Sequence, residues 1–314
     1  MVGLTKDRAE PTAEAPVPAP ATERRRGPAR AAIVAMRPQE WVKNLLVFAG
    51  LLFSGKFDEL DAIAAAIATF AAFCLVASAG YLVNDARDVE EDRQHPKKRR
   101  RPIAAGELNV RTAITLAAVL AIVGLAGATA LEPTVGGIVL AYAVGTTLYS
   151  YLLKHEVILD VMTIAGLFVL RVLAGAVAVD ADASAYLLLC TGMVALFLGF
   201  TKRRQEATSE LHSGSESRPV LEHYSIPFLD QMVAMVTAAT VMSYAIYCVN
   251  SPLIGAKMLG TLPPVVYGIF RYLYLIYDRK DTRSTDAILL EDYGMIGAGV
   301  VWAASAVVLL AVYN

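Results

Sequence analysis

The sequence predicts an all-α membrane protein of nine transmembrane helices, on three observations. Of 314 residues, 56% are hydrophobic, against about 45–50% in a soluble domain, and mean hydropathy is +0.50. The apolar residues fall into nine blocks, at about 41–54, 61–84, 111–131, 134–153, 157–179, 184–201, 229–249, 261–278 and 293–313. Lysine and arginine gather in alternate connections between those blocks.

Each element follows in order. Residues 1–30 are rich in Pro, Ala and Glu without an apolar run, so they cannot bury enough surface to offset ordering entropy and are expected to form a disordered cytoplasmic tail. No apolar stretch follows Lys6 or Arg8, so no signal peptide is expected. Residues 31–314 then form one transmembrane domain. Its first block is short and opens with Lys43 and Asn44, so it is tilted or starts at the interface. Most of the other blocks approach the roughly 20 residues that cross the hydrocarbon layer as a helix. They are too long for barrel strands of about ten residues, and backbone in lipid must satisfy its own hydrogen bonds, so a helical bundle follows.

With the N-terminus inside, 24 of the 28 basic residues lie in the tail and the inward loops, which sets the orientation and places the C-terminus outside. The two long loops, about 85–110 and 202–228, then face the cytoplasm, and chemistry is expected there. A transporter would carry charge along a midplane pathway; here the charges collect at one side. The single cysteines Cys74, Cys190 and Cys248 sit inside apolar blocks, as buried free thiols would, and form no disulfide framework or metal clamp. A nucleic-acid partner is not expected, and a homo-oligomer is compatible with the pattern.

The chemistry concentrates in "NDARDVEED", Asn84 to Asp92. At 100° per residue, Asp88, Asp92 and Asp85 fall about 40°, 80° and 100° from Asn84, on one face of a helix. Crowded carboxylates repel unless a cation neutralises them, and Mg²⁺ accepts a few carboxylates together with phosphate oxygens. A solvated acidic helix end balanced by the "KKRRR" that follows is the plainer reading. The spacing, the leading amide and the juxtamembrane position favour a Mg²⁺–diphosphate site.

These residues resemble the NDxxDxxxD motif of the UbiA-type intramembrane prenyltransferases, over about residues 33 to 313. The resemblance implies a nine-helix bundle around a central cavity open to the cytoplasm and sideways to lipid. It implies that Asn84, Asp88 and Asp92 hold Mg²⁺ with a donor diphosphate, Asp85 lying in or just behind that shell. Prenyl-transferring members carry a second aspartate-rich motif after the sixth helix, where this chain has "GFTKRRQEA", Gly199 to Ala207, with only Glu206 acidic. A cationic wall suits several phosphate groups held at once. Together with "RPQEWVKNLLVF", "YSYLLKHEVILDVMTIAG" and "TKRRQE", the motif is similar to the actinobacterial branch of the family that moves phosphoribosyl groups onto decaprenyl phosphate. That implies 5-phosphoribosyl 1-diphosphate as donor, a polyprenyl phosphate as acceptor, and a place in the cytoplasmic membrane. The competing reading is a prenyl diphosphate donor with an aromatic or other polar acceptor.

Most of the further candidates carry two readings. Lys43 and Asn44 begin the first helix, where a cation and free N–H groups meet a phosphate; otherwise Lys43 snorkels to headgroups. In the cluster Lys98, Arg99, Arg100 and Arg101, the last stands beside an RPxxxG-like turn and is the favoured phosphate ligand; the alternative is contact with anionic lipid. Tyr149 and Lys154 belong to a stretch resembling the family's tyrosine-and-lysine signature, Tyr149 equally suiting the interfacial belt. Asp160 contacts ribose hydroxyls or a second Mg²⁺, or pairs with Lys154. Arg171 lies about 16 Å along the helix from Asp160 and is expected to satisfy another buried acid. Lys202, Arg203 and Glu206 are assigned to the donor, Lys202 and Glu206 forming an i,i+4 pair.

Overall fold

The computed structural model describes residues 26–313, except 57, 97, 214–218, 252–253, 280–282 and 284. It is helical throughout, with no strand among the described residues. Helix α1 (Pro28–Ala35) begins inside the stretch expected to be disordered, the first 25 residues of which lie outside the described ones. Its Ala31 and Ala35, just past that stretch, bury against Ala79, Leu82 and Ala86 of α3 (Leu60–Arg87), which gives the helix a partner surface.

The first apolar block is not one helix. A ten-residue 3₁₀ segment, Pro38–Val47, leads into the seven-residue α2 (Phe48–Ser54). Such long 3₁₀ runs are uncommon, and tertiary bonds hold this one: Trp41 Nε1 donates to Ser78 Oγ at 3.1 Å, and Ser78 Oγ donates to the Met36 carbonyl at 2.9 Å. Helix α2 then lies backbone to backbone on α7 (Leu159–Ala178). A Cβ on Gly175 would fall 1.8 Å from the Val47 carbonyl oxygen, so only glycine admits this approach.

Beyond α3, a short α4 (Val89–Gln94) precedes α5 (Val110–Leu131) and α6 (Pro133–Tyr151). Their ends are set by local chemistry. Asn109 caps α5 by accepting from Arg111 N at 2.9 Å, and Glu132 alone links α5 to α6, with Pro133 opening the new helix. The chain continues through α8 (Ala185–Ser213), α9 (Ile226–Val249), α10 (Leu262–Tyr277), α11 (Thr285–Glu291) and α12 (Tyr293–Tyr313). One core joins α3, α5, α6 and α7 around Phe73, Val139 and Tyr142; another joins α7 to α10 around Phe197, Leu229 and Tyr272.

Seven helical stretches among the described residues are long and apolar enough to cross a bilayer, against the nine expected. The two others have identifiable causes. Block 41–54 is divided by its 3₁₀ start, and α6 is diluted by Gly, Thr and Tyr residues. The C-terminal ends of α3, α6, α8 and α10 and the N-terminal ends of α7, α9 and α12 carry most of the charged side chains described below.

Candidate functional site

The acidic motif sits where α3 ends. The helix stops at Arg87, and Asp88 is its cap at φ −86°, ψ 14° before α4 resumes. The single helical face expected for Asn84, Asp85, Asp88 and Asp92 is therefore interrupted, although Asp88 N→Asn84 O at 3.0 Å and Asp92 N→Asp88 O at 2.8 Å carry the helical spacing across the break. Asp85 and Asp92 are buried, at 2% and 1% exposure, and Asp88 is half-buried.

Buried carboxylates need partners, and arginines supply them. Arg101 Nη1 lies 2.7 Å from Asp92 Oδ2 and 3.1 Å from Asp85 Oδ1, so one nitrogen bridges both. Arg37 Nη2 reaches the same Asp85 Oδ1 at 2.6 Å, and its guanidinium lies over the Tyr81 ring at 4.8 Å. Arg37 itself has a left-handed backbone, φ 53° and ψ 61°, strained for a residue with a Cβ and followed by Pro38. Asp88 is held by its neighbour Arg87 at 2.6 Å. Asn84 Nδ2 donates to Ser150 Oγ at 3.1 Å, and Arg87 stacks on Tyr151 at 4.5 Å, which ties the motif to the end of α6.

A second cluster lies at the start of α7. Asp160 is fully buried, 2.8 Å from the Nε of Arg203, which is itself 2% exposed. The two are close but off the line of a hydrogen bond, leaving both atoms without one. Arg203 also pairs with Glu206. The Tyr224 hydroxyl donates to Asp160 Oδ1 at 2.7 Å and accepts from Ile158 N at 2.6 Å. Ile158 stands at φ 70°, an outlier for a β-branched residue. Burial, then the bond to Asp160, raises the Tyr224 phenol above its usual range, so it stays protonated and donating.

Several expectations need correction. Lys43 and Asn44 do not begin a helix; they lie inside the 3₁₀ segment. Lys43 pairs with Glu40 at 2.5 Å, and Asn44 is buried, accepting from Arg171 Nε at 2.8 Å and donating to Cys74 Sγ at 3.3 Å. Arg171 finds no acid in that set: it is satisfied by Asn44, the Leu167 carbonyl and the Tyr142 hydroxyl. Asp160 pairs with Arg203 and Tyr224 rather than Lys154. Glu206 is held by Arg203, and Lys202 is exposed. Cys190 is only partly buried, unlike Cys74 and Cys248. Arg37, Ser150 and Tyr224 escaped sequence reasoning, because their partners are 48, 66 and 64 residues away. The Arg-Pro step before the first apolar block was the one available signal.

Among the described residues, no three His, Cys, Asp or Glu side chains converge as a ready metal cage. Arg101 stands between Asp85 and Asp92, and Asp88 turns to Arg87. The donor set nonetheless suits a hard cation, being carboxylate and amide oxygens, and the buried acids already accommodate positive charge in the form of a guanidinium.

The profile of the UbiA prenyltransferase family matches residues 44–291, and the chain belongs to that family. It is similar to the decaprenyl-phosphate phosphoribosyltransferase of Corynebacterium glutamicum, 36% identical over 282 residues that cover 86% of this chain and 83% of the relative. The enzymes of that name from Mycobacterium tuberculosis and Mycolicibacterium smegmatis are 34% and 37% identical, over 76% and 68% of this chain and 81% and 69% of theirs. A UbiA homolog from Archaeoglobus fulgidus bound to GPP and Mg²⁺ shares the fold, with a TM-score of 0.66 at 18% identity over 90% of this chain and 99% of that one.

Proposed function

We propose that the protein transfers the 5-phosphoribosyl group of 5-phosphoribosyl 1-diphosphate to decaprenyl phosphate or a similar polyprenyl phosphate, releasing diphosphate. The observation that carries this reading is 34–37% identity, over most of the chain, to relatives named for phosphoribosyl transfer to decaprenyl phosphate. The basic stretch Lys202, Arg203 and Arg204, where prenyl-transferring relatives are expected to be acidic, supports it.

In this reading Asn84, Asp88 and Asp92 hold Mg²⁺, with Asp85 behind them. Bound there, the metal supplies charge stabilisation for the departing diphosphate. The chain's residues do the rest. Arg101 and Lys202 bind phosphate oxygens, and Tyr149, in the last turn of α6, and Lys154, in the 3₁₀ turn Leu153–His155 that follows, border the donor. Arg203, Glu206 and Asp160 shape the wall beyond it. An oxygen of the lipid phosphate attacks ribose C1 as the bond from C1 to the diphosphate oxygen breaks, with inversion and oxocarbenium-like charge between them. A phosphate monoester with a second pKa of about 6 is already anionic at neutral pH, so no strong general base is needed. Positioning and fixed charge carry the catalysis. The gathering of lysines and arginines in alternate connections supports a site at the cytoplasmic face with the N-terminus inside, and the membrane of this reading is the cytoplasmic one.

The test is an assay of membranes containing the protein. Labelled phosphoribosyl diphosphate, Mg²⁺ and polyprenyl phosphate should yield a lipid-soluble phosphoribosyl product. Product formed only from prenyl diphosphate and an aromatic acceptor would replace this reading with the prenyltransferase one.

A further inference from the structure

The aspartates of the acidic motif are already neutralised by the chain itself. Arg101 bridges Asp85 and Asp92, Arg37 adds a second contact to Asp85, and Arg87 closes on Asp88. Three carboxylates therefore face three guanidiniums. A divalent cation approaching alone meets this positive charge, and any guanidinium it displaces has nowhere comparable to go. A diphosphate removes both obstacles, since its oxygens complete the metal's coordination and also accept the fork of a displaced arginine.

Arg101 is the bridging group with room to move; Arg87, equally exposed at 30%, holds only Asp88. Arg37 is fixed by its left-handed backbone and by the Tyr81 ring. The Arg101 main chain is anchored, with Arg101 N→Lys98 O at 2.9 Å, Ala105 N→Arg101 O at 2.8 Å and Ile103, two residues on, buried, yet its side chain is 30% exposed. The side chain can swing without the loop moving. The geometry points to Arg101 as an exchangeable counter-ion that occupies the acidic motif until metal and diphosphate arrive together, then turns to the phosphate. This rests on the Mg²⁺–diphosphate reading above and adds a consequence to it: metal and donor bind cooperatively, each strengthening the other by the same factor.

The experiment uses the full chain in lipid nanodiscs with Mn²⁺ as the metal probe, free Mn²⁺ being read by electron paramagnetic resonance. Without donor, Arg101→Gln should bind Mn²⁺ about tenfold more tightly than wild type, within the usual range of coupling between sites. Arg101→Lys, which keeps the charge, should stay close to wild type, and Arg101→Gln combined with Asp92→Asn should lose the gain. Labelled phosphoribosyl diphosphate should bind more weakly to Arg101→Gln. Equal Mn²⁺ affinity in wild type and Arg101→Gln, with donor binding still dependent on Mn²⁺ and Asp92, would overturn the exchange alone. Mn²⁺ binding indifferent to Asp92 would overturn the exchange and the metal reading together. Should Arg101→Gln not fold, wild type decides: Mn²⁺ and donor together should raise Tm by more than the sum of their separate shifts, and additive shifts would overturn the proposal.

Discussion

Two clusters at one end of the bundle follow one plan, a guanidinium between two carboxylates, and differ in what seals them. Around Asp85 and Asp92 the arginine side chains remain 24% and 30% exposed, and one comes from a loop. Around Asp160 and Glu206, Arg203 is 2% exposed and Tyr224 closes the cluster from beyond α8. The same charge pattern therefore serves two ends. An arginine with water on one side can exchange partners with a ligand, whereas a buried one is committed, because moving it strands a carboxylate in low dielectric. The Asp160 cluster fastens the start of α7 to α8 and holds Ile158 in a backbone conformation it would not otherwise adopt.

The difference can be broken most severely at Arg203. Replacing it by Met leaves Asp160 buried with only Tyr224, and should cost about 3–5 kcal/mol of stability, read as lost folded yield in gel filtration; unchanged yield and Tm would mean that the second cluster is no more committed than the first. At the acidic motif the loss should fall on turnover. Asp88→Ala should lower phosphoribosyl transfer by about 10²–10³-fold, the scale of removing one charge-stabilising group, with folded protein still in the membrane. Near-normal transfer would remove Asp88 from the metal assignment.

Smaller effects sharpen the picture. Tyr224→Phe deletes one hydroxyl and leaves Asp160 Oδ1 and the Ile158 N–H short of a partner, so a loss of about 1–3 kcal/mol is expected from thermal or denaturant unfolding in detergent. A Phe variant as stable as wild type would show that Arg203 alone seals the cluster. Least of all, Lys43→Gln removes a half-exposed pair with Glu40 and should change stability by less than about 1 kcal/mol; a large fall in transfer with unchanged Tm would support Lys43 as a substrate ligand.

Much of the frame was legible because the signals are local. Apolar blocks foretold where α3, α5, α7, α8, α9 and α12 run. The first block misled because hydropathy does not distinguish a 3₁₀ run from an α-helix, and because Asn44, polar in isolation, is consumed by a buried arginine 127 residues away. Lys202 and Glu206 have helical spacing, but Glu206 had a better-placed cation in Arg203.

The sequence by itself determined a UbiA-family helical membrane protein with an acidic motif at the end of a long helix and a cationic stretch at the end of another. Those properties depend on residue type and short-range periodicity. Only the tertiary structure decided which charges meet: Arg37 and Arg101 on Asp85, Arg203 and Tyr224 on Asp160. Ion pairing between distant segments is set by which helix ends pack together and how deeply each side chain is buried, because burial raises the cost of every charge left unmatched.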